Sequence, residues 1–95
     1  MLFRSLVAPF TPEAAAATTG VEATTVRRLA RELAAAPSSV VYGRIGVSTH
    51  EFGTLCQWAI TCINLLTGHL DAPGGAMFPE PAIDLVAHGL AGPGT

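Results

Sequence analysis

Apolar and polar positions alternate along the chain in three rhythms, and each predicts an element. From residue 22 to 35, Val26, Leu29, Ala30 and Leu33 recur at i, i+3, i+4 and i+7, with Arg27, Arg28, Arg31 and Glu32 on the other side. This is a single apolar stripe on a helix, and Pro37 with Ser38 and Ser39 stops it. Val40-Val41-Tyr42 is a short β-branched and aromatic run that predicts a buried strand. It leads directly into Gly43-Arg44-Ile45-Gly46, after which a third helix is expected to begin within 50–53 and reach 66 or 67. On that helix Phe52, Leu55, Cys56, Ala59, Ile60, Ile63 and Leu66 are apolar, and Trp58, Cys62 and Leu65 form a second apolar face. Only Thr54, Gln57, Thr61 and Asn64 make a narrow polar stripe. A helix that is apolar nearly all round belongs inside a large protein or in a membrane.

Punctuating residues supply the remaining boundaries. Thr11 suits an N-cap, Pro12 the first helical position and Glu13 the first turn, and Gly20 suits the C′ position. A short helix is therefore predicted over 12–18. Residues 1–10 form an apolar lead-in that Pro9 makes compatible with an extended segment. His69-Leu70-Asp71-Ala72-Pro73-Gly74-Gly75 is a loop signal. Residues 79–95 form a loop-rich, poorly ordered tail around a weak apolar run at 83–87, and 91–95 are expected to fray.

Composition sharpens the question posed by the third helix. Of 95 residues, 49% are hydrophobic and 13% charged, against about 25% charged in ordinary domains. Mean hydropathy is +0.45. A domain of this size buries only about 60–70% of its unfolded surface, so such a chain is either membrane-associated or part of something larger. Residues 52–66 are too few and too polar for a span of roughly 20 apolar residues. The N-terminus lacks a basic region and a long apolar region of the kind that marks a signal peptide, which leaves a cytoplasmic location as the expectation. A net charge of -2 and a pI near 5.8 disfavour nucleic acid as a partner.

The reactive residues are sparse. Cys56 and Cys62 are six residues apart, about 9 Å along a helix. That is outside disulfide reach, so two small buried thiols are expected. His50, His69 and His88 have no partner at metal-ligand spacing. Arg27, Arg28 and Arg31 form either a solvated face or an anion site.

The informative unit is helix, strand, glycine loop, helix. A strand that delivers a glycine-rich turn to a helix N-terminus can hold a phosphate on free backbone N–H groups. Arg44 can add a charged fork, and Ser48 and Thr49 can add hydroxyls. Gln57 lies one to two turns into the helix and is expected to be out of reach. The spacing of Gly43, Gly46 and Gly53 matches neither the dinucleotide fingerprint nor the P-loop, so ligand binding and a purely structural turn both remain open on the residues alone.

The runs Val41-Tyr42-Gly43-Arg44-Ile45-Gly46, His50-Glu51-Phe52-Gly53-Thr54-Leu55 and Asn64-Leu65-Leu66-Thr67-Gly68, with Pro73-Gly74-Gly75-Ala76-Met77-Phe78 after them, resemble the molybdopterin oxidoreductase family. That family includes formate dehydrogenases, nitrate reductases and dimethyl sulfoxide reductase. The resemblance covers about residues 8–82. It implies an α/β fold, in which this helix–strand–Gly-loop–helix piece (mostly helical as an isolated chain) belongs to a parallel-sheet molybdopterin-binding domain over 11–78. It further implies a molybdopterin guanine dinucleotide with Mo or W in the parent enzyme, contacted here by Gly43, Arg44, Gly46, Thr49 and His50. An iron–sulfur cluster can belong to the parent, but no multi-Cys motif lies in this chain. The expected partner is the rest of that enzyme, or an oligomer partner, covering the apolar helix 52–66. On this reading the chain is an internal fragment or a truncated reading frame, and is expected not to catalyse by itself. Two alternatives are a small nucleotide-binding βα module and a small helical interaction module or oligomer without a catalytic role.

Overall fold

The computed structural model describes residues 2–89. Among the described residues five helices follow one another: α1 (Phe3–Val7), α2 (Pro12–Thr19), α3 (Ala23–Ala35), α4 (Ile45–Ser48) and α5 (Gly53–Leu66). The frayed end expected over 91–95 lies outside the described residues.

Local chemistry explains α2. The Thr11 hydroxyl accepts from the Ala14 N–H at 3.1 Å, Pro12 opens the helix, and Gly20 closes it in the left-handed region at φ 71°. Two parallel hydrogen bonds between Glu13 and Arg27 tie α2 to α3, the Nη2–Oε2 bond measuring 2.9 Å. Arg28 pairs with Glu32 at 3.6 Å within α3. Two of the three arginines considered for an anion site are thus already paired with carboxylates.

Three expectations about the backbone are corrected. The lead-in is not wholly extended. Residues 3–7 form a helical turn, braced by the Ser5 hydroxyl donating to the Leu2 carbonyl at 2.7 Å, and Phe3 rests on Trp58 with ring centroids 5.8 Å apart. The glycine loop is not open throughout, because 45–48 close into the single turn α4. Residues 40–42 are extended but pair with no strand, and no strand occurs among the described residues. A ladder needs a second strand to supply its donors and acceptors, and here side chains of α5 supply them.

The described residues contain no buried hydrophobic side chain. Accessible surface is 7833 Å², against about 5,200 Å² for a folded monomer of this mass. The radius of gyration is 16.6 Å, against about 12 Å for a compact chain of this length. The apolar stripe of α3 (Val26, Leu29, Leu33) faces Ile63 and Leu66 of α5 across an open groove of about 310 Å³. Cys62, on the face that Phe3 partly covers, is half-buried and Cys56 is exposed, both as free thiols; the two buried thiols expected from the sequence are not found among the described residues. No helix of the described residues is long and apolar enough to cross a membrane.

Candidate functional site

The buried groups that organise the centre of the chain are polar. Asn64, on α5, is 4% exposed. Its Oδ1 accepts from the Val41 N–H at 3.0 Å, and its Nδ2 donates to the Val41 carbonyl at 2.9 Å. Two turns earlier, Gln57 Nε2 donates to the Gly43 carbonyl at 3.1 Å and to Ser48 Oγ at 2.8 Å. The polar stripe of α5 therefore faces the extended segment and grips its backbone at two points. A Cβ at Gly43 would stand 2.6 Å from Ile60 Cδ1, so the end of that side chain would have to rotate away.

A second polar tie holds the loop after α5. His69 is 9% exposed, and its Nδ1 lies 2.7 Å from Ser39 Oγ, which also donates to the Leu33 carbonyl at 3.3 Å. Ala76 N–H donates to the His69 carbonyl at 2.8 Å, and Leu70 and Ala76 form an isolated parallel bridge. Segment 40–43, α5 and this loop together enclose a groove of about 540 Å³, lined among others by Tyr42, Gly43, Gln57, Thr61, Asn64 and Met77.

Of the five residues singled out from the sequence, Gly43 lines this groove and the other four do not. Arg44 is the N-cap of α4. Its side chain is exposed and makes no ion pair among the described residues. Gly46 lies within α4 with nothing within 4 Å of where a Cβ would sit. Thr49 caps the other end of α4, and its hydroxyl proton goes to the Ile45 carbonyl at 3.0 Å. His50 is exposed in the turn before α5, and its carbonyl accepts from the Gly53 N–H at 2.9 Å. Gln57, set aside in the sequence as too far along the helix to reach a ligand, joins the two ends of the turn. Its place in the polar stripe of α5, seven residues before Asn64, was the available signal.

These groups suit part of an anionic ligand. The free guanidinium of Arg44 can pair with a phosphate or carboxylate, and the open backbone at Gly46 admits close approach. The helix-terminus contribution expected from the sequence is small, because α4 is one turn long and a single turn carries little dipole. Among the described residues no group of three or more His, Cys, Asp or Glu is placed to hold a metal ion.

No family model matches the chain, and no solved structure matches it. Two curated proteins do. Formate dehydrogenase H of Escherichia coli (strain K12) is 32% identical over 77 residues, which are 81% of this chain and 11% of that protein. Trimethylamine-N-oxide reductase of Vibrio parahaemolyticus (serotype O3:K6, strain RIMD 2210633) is 32% identical over 87 residues, 88% of this chain and 10% of that protein. The chain thus spans about a tenth of the length of the curated relatives it matches. Both relatives are molybdopterin oxidoreductases and both align with most of the sequence, so this chain belongs to the molybdopterin oxidoreductase family.

Proposed function

We propose that the chain serves as a segment of a molybdopterin-dependent oxidoreductase and contacts a molybdopterin guanine dinucleotide through Gly43, Arg44, Gly46, Thr49 and His50. The observation that carries this reading is the exposed, unpaired Arg44 on a turn anchored at both ends, in a chain related to two molybdenum enzymes. Arg44 would hold an anionic group of the cofactor, Gly46 would admit it to the backbone, and Gly43 would set the turn against α5. Thr49 offers hydroxyl lone pairs, and His50 a ring on the same turn. When bound, the cofactor supplies two-electron redox chemistry at molybdenum or tungsten, while the protein orients and charges its surroundings. An iron–sulfur cluster would belong to other parts of the parent enzyme.

On this reading residues 11–78 are part of an α/β molybdopterin-binding domain, preceded by the lead-in 1–10 and followed by the tail 79–95. Segment 40–42 would join a parallel sheet contributed by the rest of the enzyme, and that body would cover α5 and the α3–α5 groove. The exposure of Leu55, Leu65 and Leu66 supports such a cover, because contiguous apolar surface of this kind marks an interface. The 95-residue chain alone would then be inactive. Two free thiols suit a cytoplasmic location.

The test is Arg44→Ala in the enzyme that carries this segment. Bound molybdenum and extractable pterin should both fall, with the fold retained by circular dichroism. Unchanged cofactor content would remove Arg44 from the assignment.

A further inference from the structure

We propose that Gln57 is a positioning residue that latches the turn 43–48 shut. The assignment rests on the reading that this turn is the ligand-facing element, and adds how the turn is held.

The geometry is specific to an amide. A primary amide nitrogen carries two protons, and Gln57 spends them on the two ends of one turn, the Gly43 carbonyl at 3.1 Å and Ser48 Oγ at 2.8 Å. Ser48 Oγ passes the contact on, donating to the Arg44 carbonyl at 3.4 Å. One side chain thus connects the residue before Arg44, the residue that ends α4 and Arg44 itself. Gln57 is half-buried, so its bonds are partly shielded from competing water. Asn64, two turns along α5, fixes Val41, which leaves residues 43–48 as the stretch whose shape depends on Gln57. Neither a carboxylate nor a thioether at position 57 can donate to both oxygens.

Tryptic cleavage of the 95-residue chain reads this directly, because its five basic residues are all arginines. Arg44 reports the turn, while Arg27, Arg28 and Arg31 in α3 serve as internal references. Cleavage that follows local opening tracks the open population. In Gln57→Met, cleavage after Arg44 relative to the α3 sites should rise roughly five- to tenfold, the change expected for one or two modest hydrogen bonds. In Gln57→Glu a carboxylate faces the Gly43 carbonyl, so the same ratio should be high at about pH 8 and lower at about pH 5, where half-burial and the facing carbonyl push the carboxyl up from its ordinary value and protonation of part of the population restores one donor. Tyr42, Arg44, His50 and Glu51 on the flanking segment and Cys56 and Cys62 on α5 are common to wild type and variants, so the wild-type profile is the baseline. A wild-type ratio in Gln57→Met, an equal rise at every arginine, or no added pH dependence in Gln57→Glu would each overturn the latch. The readout needs no cofactor, so the latch stands or falls separately from the Arg44 test.

Discussion

The side-chain amide of Asn64 bonds both backbone groups of Val41, 23 residues away, its Oδ1 taking the N–H at 3.0 Å and its Nδ2 reaching the carbonyl at 2.9 Å. In an antiparallel ladder a hydrogen-bonded partner residue makes the same pair of bonds. Here a helix supplies them through one side chain. The extended segment is thereby held on α5 along one edge, and its other edge pairs with no strand among the described residues.

Replacing Asn64 tests how much this clip contributes. Asn64→Leu keeps the branch point but adds bulk and removes both partners, leaving the Val41 donor and acceptor unmet. Such a loss costs about 1–3 kcal/mol per buried group, and half-buried Val41 places the total near the lower end. Asn64→Asp keeps an acceptor but sets a carboxylate oxygen against the Val41 carbonyl. Exchange of the Val41 amide should speed up by about tenfold in the leucine variant, read by hydrogen-exchange NMR, and an unchanged rate would refute the clip.

What the sequence made legible was local. Thr11, Pro12 and Gly20 mark α2 because capping is settled within a few residues, and the i, i+3, i+4, i+7 stripe marks α3 for the same reason. The limits of α5 follow from glycines at 53 and 68. The unpaired fate of 40–42 was not legible, since a ladder depends on a strand elsewhere and the groups that replaced it lie on α5. The place of α1 against α5 is marked by Phe3 meeting Trp58, a contact 55 residues apart in the sequence. At the site, Arg44, Gly46, Thr49 and His50 stood out as residue types on one short turn. Gln57 did not, because its role appears only when α5 folds back along the segment before it.

The link between α2 and α3 carries a pH dependence. Hydrogen bonding from Arg27 holds the Glu13 carboxyl below its ordinary value of 4.5, with a smaller contribution from the Glu13 backbone. A lowered pKa means the folded state binds the proton more weakly than the unfolded chain does. The contribution is therefore full above about 4.5 and is lost as pH falls through the lowered value. Both side chains are exposed, so water screens the pair and the effect is small. Protection of α2 amides, taken relative to the intrinsic exchange rate at each pH, should fall on acidification below about pH 4.5 in the wild type, whereas Glu13→Gln should show protection that does not change over that range. A matching acid response in that variant would assign the dependence to another group.

Alanine at three glycines separates fold from function around the turn. At Gly53, which is buried, a Cβ would stand 2.1 Å from the Ser48 carbonyl oxygen and 2.9 Å from that of Val47. Both are backbone atoms, so α4 and α5 must move apart, a cost of about 1–3 kcal/mol or more. At Gly43 the obstacles are the ends of Ile60 and Gln57, at 2.6 and 3.1 Å. Those side chains can rotate, so the expected cost is about 1 kcal/mol. At Gly46 nothing stands within 4 Å, and alanine favours the helical turn by up to about 1 kcal/mol. Loss of α5 amide protection should therefore rank Gly53→Ala above Gly43→Ala, with Gly46→Ala neutral or stabilising. Because Gly46→Ala leaves the turn folded, any cofactor it releases from the parent enzyme measures close approach at that backbone and not damage to the scaffold. Equal protection in all three variants would show that α4 does not pack on α5 in solution.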